Sequence, residues 1–143
     1  MYRKALFIFV IVMQLCSCQR EHYQRNPFLQ EARFSCWLNM RLPEYIKLRL
    51  PGISAVLVDN VGLRGIVVAH IGEQYMAWDR ACPSQVLSAC SQMTLESGHT
   101  FMRCPCTGVK YNLLNGQPQS GASTYPMLNY QVEKQGDVLI ISN

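Results

Sequence analysis

Beyond the first thirty residues, short apolar or alternating stretches are separated by frequent turn signals. Arg33-Phe34-Ser35-Cys36-Trp37-Leu38-Asn39 has polar residues at alternate positions and predicts a strand with one solvated face. Ala55-Val56-Leu57-Val58 predicts a second strand between turn signals at Pro51-Gly52 and Asp59-Asn60-Val61-Gly62. Gly65 to Ile71 is apolar enough to be buried on both faces, and Gly72-Glu73 reverses it into Gln74 to Trp78. Met93-Thr94-Leu95 and Thr100 to Arg103 predict a hairpin closed by Ser97-Gly98, and Lys110 to Leu113 continues through Asn115-Gly116, a strong hairpin dipeptide. Leu128 to Val132, Gln135-Gly136 and Val138 to Ile141 predict a closing hairpin. Pro43 to Lys47 predicts one helical turn with Pro43 at its first position. Many short strands with frequent turns, no internal repeat and no long helix predict a small all-β sandwich or barrel of antiparallel strands.

The first thirty residues break this pattern. A basic start, Met1-Tyr2-Arg3-Lys4, precedes an apolar run from Ala5 to Met13, far short of the ~20 residues that span a bilayer. Basic residues, a short apolar core and a small-residue end read as a secretory leader, a plain signal peptide or an N-terminal anchor. Leu15-Cys16-Ser17-Cys18 resembles the lipobox of bacterial lipoproteins, with Cys16 the weaker acceptor because Leu15 precedes it. The resemblance implies removal of residues 1–17 and acyl chains on Cys18, a membrane anchor; two or more chains hold stably where one does not. Gln19 carries no acidic retention signal, which implies the outer membrane, facing the periplasm or the outside. Residues 18–30 are polar and mixed and read as a flexible tether; residues 31–143 read as one β domain.

Charge narrows the function classes. The chain carries +4, and losing Arg3 and Lys4 leaves 11 basic against 9 acidic residues, a net +2. Arg103 and Lys110 make no basic patch, so nucleic acid is not an expected partner. With Cys18 acylated, Cys36, Cys82, Cys90, Cys104 and Cys106 remain. Thiols outside the cytoplasm tend to pair, and five is odd. Cys36, in an apolar strand, is expected to be a buried thiol acting as a small hydrophobe.

The chemistry concentrates in Cys82-Pro83-Ser84 and Cys104-Pro105-Cys106-Thr107-Gly108, two cysteine–proline loops a hairpin apart, the second running into Val109-Lys110-Tyr111. They resemble the paired cluster-binding loops of Rieske iron–sulfur domains, Cys-x-His and Cys-Pro-Cys-His-Gly, in which two cysteines hold one iron and two histidines the other. The resemblance extends from about residue 65 to 143: a strand pair before the first cysteine, a hairpin to Cys-Pro-Cys, an Asn-Gly turn, a Gly/Ser/Pro-rich loop and a closing hairpin. It implies a Rieske-like fold with both cysteine loops at one end, residues 32–64 adding strands. Within the Gly/Ser/Pro-rich loop from Gln117 to Pro126, the resemblance implies that Ser120-Gly121 to Pro126 covers the site. Cys82 and Cys104 match the ligand cysteines, whereas Ser84 and Thr107 stand where the imidazoles belong. A hydroxyl binds metal well only once deprotonated, and His22, His70 and His99 lie elsewhere in the chain.

The resemblance also implies a bridge from Cys106 to a first-loop cysteine, for which Cys90 is available. It would close about fifteen residues, on the order of 3 kcal/mol in the chain-entropy model. A Cys82–Cys104 bridge would then fill the cluster position, although four cysteines allow three pairings. A four-cysteine metal site is a further option, against which Cys104-Pro105-Cys106 is one residue short of the usual zinc knuckle. Paired carboxylates, a phosphate loop and a Ser/His/Asp arrangement are absent, and Asp79-Arg80 reads as a strand-end or solvated ion pair. The expected function is a lipid-anchored, non-enzymatic binding or structural module for a protein partner, with no cofactor, its iron–sulfur cluster lost. The alternative is an electron-transfer protein that keeps a [2Fe-2S] cluster on atypical ligands, and a third reading is a thiol-redox protein with one labile cysteine pair. Tyr125 and Tyr130 could line a contact surface or pack in the core.

Overall fold

The computed structural model describes residues 26–31, 33–119 and 125–143. The leader, Cys18, His22 and most of the stretch read as a tether lie outside them, as do Ser120 and Gly121. Nine strands follow in order: β1 Ser35–Asn39, β2 Gly52–Val58, β3 Ile66–Gly72, β4 Gln74–Asp79, β5 Thr94–Leu95, β6 Phe101–Arg103, β7 Lys110–Asn112, β8 Asn129–Gln135 and β9 Val138–Ser142. A six-stranded antiparallel sheet runs β1-β9-β8-β4-β3-β2, and a three-stranded sheet runs β5-β6-β7. Among the described residues no helix is long and apolar enough to cross a membrane.

Period-two alternation distributes β3 between two cores. Val67 and Ala69 face one side with Trp78, Met93, Met102, Tyr111, Leu113 and the sulfurs of Cys82 and Cys104, beneath the small sheet. Ile66 and Val68 face the other, where the large sheet curls round Leu38, Leu48, Ala77, Tyr130, Leu139 and Ile141. All four β3 residues are fully buried. A strand covered on both faces has no polar positions to alternate, and its sequence is a continuous apolar run for that reason.

The N-terminal half contributes both edges of the large sheet: β1 pairs with β9, and β2 with β3. Cys36, expected to be buried, is half-buried, because edge strand β1 is covered on one face only; partial burial still pushes its thiol pKa up. The helical turn lies slightly beyond the expected place, as a 3-10 turn over Ile46–Arg49 that buries Leu48, after a preceding turn closed by Tyr45 N–H donating to the Leu42 carbonyl. Within the stretch read as a tether, Leu29 is buried and Asn26 Nδ2 donates to the Pro83 carbonyl of the first cysteine loop at 2.7 Å.

Candidate metal centre

The first cysteine loop is a broad excursion pinned at its feet. Ala81 and Gln92 form an isolated bridge, Cys82 N–H donates to the Ser91 carbonyl at 2.8 Å, and Met93 N–H donates to the Arg80 carbonyl at 2.6 Å. The pin below is Asp79, fully buried at the end of β4. Its carboxylate accepts from Ala81 N–H, Leu63 N–H and the Tyr130 hydroxyl, each at 2.7 Å. Burial and then the neighbouring Asp79 charge push the Tyr130 phenol far above its usual pKa, so it stays a donor. Asp79 is thus not the solvated or strand-end partner of Arg80. Arg80 turns the other way, to Asp59 at 2.6 Å, and spans the loop's base by donating to the Met93 carbonyl.

The second loop is the tip of the β6–β7 hairpin. Cys104 N–H donates to the Val109 carbonyl at 2.9 Å, and Gly108 N–H to the Cys104 carbonyl at 2.8 Å. Gly108 has φ +74°, the left-handed conformation that lets the chain turn back within five residues. Below the tip, Trp78 Nε1 donates to the Leu113 carbonyl at 2.9 Å and ties the large sheet to the start of the next turn.

The two loops bring four sulfurs together. Cys82 bonds to Cys104 and Cys90 to Cys106, with Cα separations of 5.6 and 5.2 Å. The sulfurs of Cys82, Cys104 and Cys106 all lie within 4.8 Å of one another, the only such convergence of potential metal ligands among the described residues. The inner pair, Cys82 and Cys104, is buried, Cys106 is half-buried, and Cys90 is exposed. Gln85 Nε2 donates to Cys106 Sγ at 2.6 Å, and Ser88 Oγ lies 3.6 Å from both Cys90 Sγ and Cys106 Sγ.

No imidazole joins this group among the described residues. His70 follows the parity of Ile66 and Val68, away from the core that holds the sulfurs; it stacks on Tyr75 with ring centroids 4.3 Å apart, and its Nδ1 lies 3.1 Å from the Leu50 carbonyl. His99 sits in the β5–β6 turn at φ +58°. Ser84 is half-buried, and Thr107 is exposed with its Oγ1 accepting from Val109 N–H at 3.4 Å. Tyr125 packs edge-on against Phe28, and Tyr130 is a core residue rather than a contact surface.

No family model matches the chain. It is 31% identical over 84 residues, 58% of this chain and 76% of the other, to the ferredoxin CarAc of Metapseudomonas resinovorans. The chain belongs to the Rieske-type ferredoxins. Among solved structures it is similar to the complex of reduced oxygenase and oxidised ferredoxin in carbazole 1,9a-dioxygenase, at 25% identity over 65% of this chain and 92% of that one, with a TM-score of 0.47. It is also similar to the ferredoxin of carbazole 1,9a-dioxygenase from Nocardioides aromaticivorans IC177, at 18% identity over 65% and 86% of the chains, with a TM-score of 0.43.

This kinship corrects one expectation. A domain without a cofactor was the reading drawn from the missing histidines; Rieske-type ferredoxins carry a [2Fe-2S] cluster, and their kinship with this chain favours the electron-transfer alternative over the cluster-free module. The donor set decides what kind of cluster these residues fit. A two-histidine half-site does not fit, because hydroxyls occupy both imidazole positions. Sulfur ligation fits once the two disulfides that hold these cysteines are reduced: [2Fe-2S] clusters are also held by four thiolates, and the sulfurs of Cys82, Cys104 and Cys106 lie within 4.8 Å of one another with Cys90 bonded to Cys106. The absence of imidazole was legible in the sequence. So was the grouping of the four cysteines, as two bridges or one metal site; the distance of Cys106 from the inner pair was not, because it depends on how the β4–β5 connection meets the β6–β7 tip.

Proposed function

We propose that this chain is an electron-transfer protein whose [2Fe-2S] cluster is held by the thiolates of Cys82, Cys104, Cys106 and Cys90, a Rieske-type fold with a ligand set free of histidine. The observation that carries the reading is the meeting of three cysteine sulfurs within 4.8 Å at the loop tips of a ferredoxin relative. When bound, the cluster supplies one-electron transfer. The residues of the chain do the rest: Asp79 and Arg80 fix the base of the first loop, Gly108 folds the second, and Gln85 and Ser88 donate towards Cys106 sulfur. Such hydrogen bonds stabilise a thiolate and tune a sulfur-bound centre.

Electrons leave through the first cysteine loop, where Val86 is 67% exposed and Leu87 43% exposed between Gln85 and Ser88. An apolar, solvent-facing rim suits a transient protein redox partner. Acylation of Cys18 and an extracytoplasmic location remain part of the proposal, supported by the leader pattern of residues 1–17.

Single substitutions test the ligand set. After anaerobic reduction and reconstitution with iron and sulfide, Cys82→Ser, Cys104→Ser and Cys106→Ser are expected to lose visible absorption, whereas Ser84→Ala and Thr107→Ala keep it. Retention by all three cysteine variants, or loss in Ser84→Ala and Thr107→Ala, would contradict the assignment.

A further inference from the structure

The two disulfides differ in access and yet lie close together. Cys90 is exposed, Cys106 is half-buried within 4.8 Å of both inner sulfurs, and the Cys82–Cys104 bond is buried. An external reductant can therefore reach Cys90 and cannot reach the inner pair directly. We propose that the outer Cys90–Cys106 disulfide relays electrons from an external dithiol to the buried Cys82–Cys104 disulfide by internal thiol–disulfide exchange. The inference concerns the disulfide-bonded chain: it delivers the two inner thiols with the outer bond re-formed, and the four-thiolate form of the proposed cluster needs a second equivalent of dithiol to open Cys90–Cys106.

The steps balance as a two-electron couple. A thiolate of the external dithiol attacks Cys90 Sγ; the Cys90–Cys106 bond breaks, a mixed disulfide forms on Cys90, and Cys106 leaves as a thiolate. Gln85 Nε2 and Ser88 Oγ are placed to donate hydrogen bonds to that leaving sulfur. Cys106 thiolate then attacks one sulfur of the inner pair, forming a bond to Cys82 or Cys104 and expelling the other as a thiolate that takes a proton. The second thiol of the reductant attacks its own bonded sulfur, leaves as a disulfide, and frees Cys90 as a thiolate. Cys90 attacks Cys106, restores the outer bond and releases the remaining inner thiol. One dithiol is oxidised, the inner disulfide is reduced, and the outer one is regenerated.

Cys90→Ser isolates the internal step, because it leaves Cys106 as a free thiol beside an intact inner pair. Peptide mapping of the acid-quenched, non-reduced full chain is expected to find Cys106 bonded to Cys82 or Cys104, with a matching loss of the Cys82–Cys104 peptide. Finding the Cys82–Cys104 peptide alone, with Cys106 fully alkylated, would overturn the relay. A second measurement covers failure of that variant to fold. In the wild-type chain treated with dithiothreitol, a transient Cys106–Cys82 or Cys106–Cys104 peptide is expected before inner thiols appear. Inner thiols appearing without that species, or ahead of the opening of Cys90–Cys106, would overturn it.

Discussion

At the scale of single residues, the site hangs on a carboxylate that is not itself part of it. Asp79 is buried and holds three donors, one of them the amide one residue before Cys82. Asp79→Ala would leave Leu63 N–H, Ala81 N–H and the Tyr130 hydroxyl without a partner. At roughly 1–3 kcal/mol for each buried unsatisfied group, the loss in urea denaturation is expected to be about 3–9 kcal/mol. Tyr130 adds a pH signature. Its folded pKa lies above the ordinary 10.0, so the stability it contributes is fully present below pH 10.0 and is lost as pH rises beyond it. Denaturation curves from pH 9 to 11.5 should therefore show a fall above pH 10 that is smaller in Tyr130→Phe; an unchanged fall would contradict the Tyr130–Asp79 coupling. None of this was legible in the sequence. Asp79 and Arg80 are neighbours in the chain and suggested a pair, but their partners, Tyr130 and Asp59, are 51 and 21 residues away.

At the scale of elements, the strands were readable because each exposes or buries alternate residues, and β3 because it exposes almost none. The ends were less readable: β1 begins at Ser35 rather than Arg33, and β7 gives way to a turn that, among the described residues, pairs onward through the isolated Tyr111–Pro118 bridge. That turn depends on Gly116 for two reasons. Its φ is +69°, and a Cβ there would sit 2.5 Å from Trp78 Cζ3. Left-handed strain of about 1 kcal/mol and overpacking of about 1–3 kcal/mol predict that Gly116→Ala destabilises by roughly 2–4 kcal/mol. The same change at Gly98, where nothing lies within 4 Å, should cost only the backbone share. Equal losses at the two positions, read from thermal or urea unfolding, would show that Trp78 does not set the turn.

For the whole molecule, two β-sheets bring two cysteine loops together, and four cysteines pair there in two disulfides. The resemblance made the loops, the missing histidines and the candidate bridges visible from residues 65–143. A four-cysteine site was readable too, but not the distance of Cys106 from the inner pair, which depends on how the two loops fold against each other. The ligand type has an electrochemical consequence. Replacing imidazole by thiolate removes the neutral donors that raise Rieske potentials to about −150 to +300 mV, and all-cysteine clusters of the plant type lie near about −400 mV. The reconstituted chain is expected to fall in the lower range, with a potential that does not change between pH 6 and 9. A high, pH-dependent potential would point to histidine ligation.

The measurement that bears most directly on the whole account is iron and zinc content, with a visible spectrum, on the chain purified without oxygen in the presence of a dithiol. The account predicts about two irons per chain and the charge-transfer absorption of a [2Fe-2S] centre. A colourless protein with no metal, or one zinc per chain held by the same sulfurs, would contradict it.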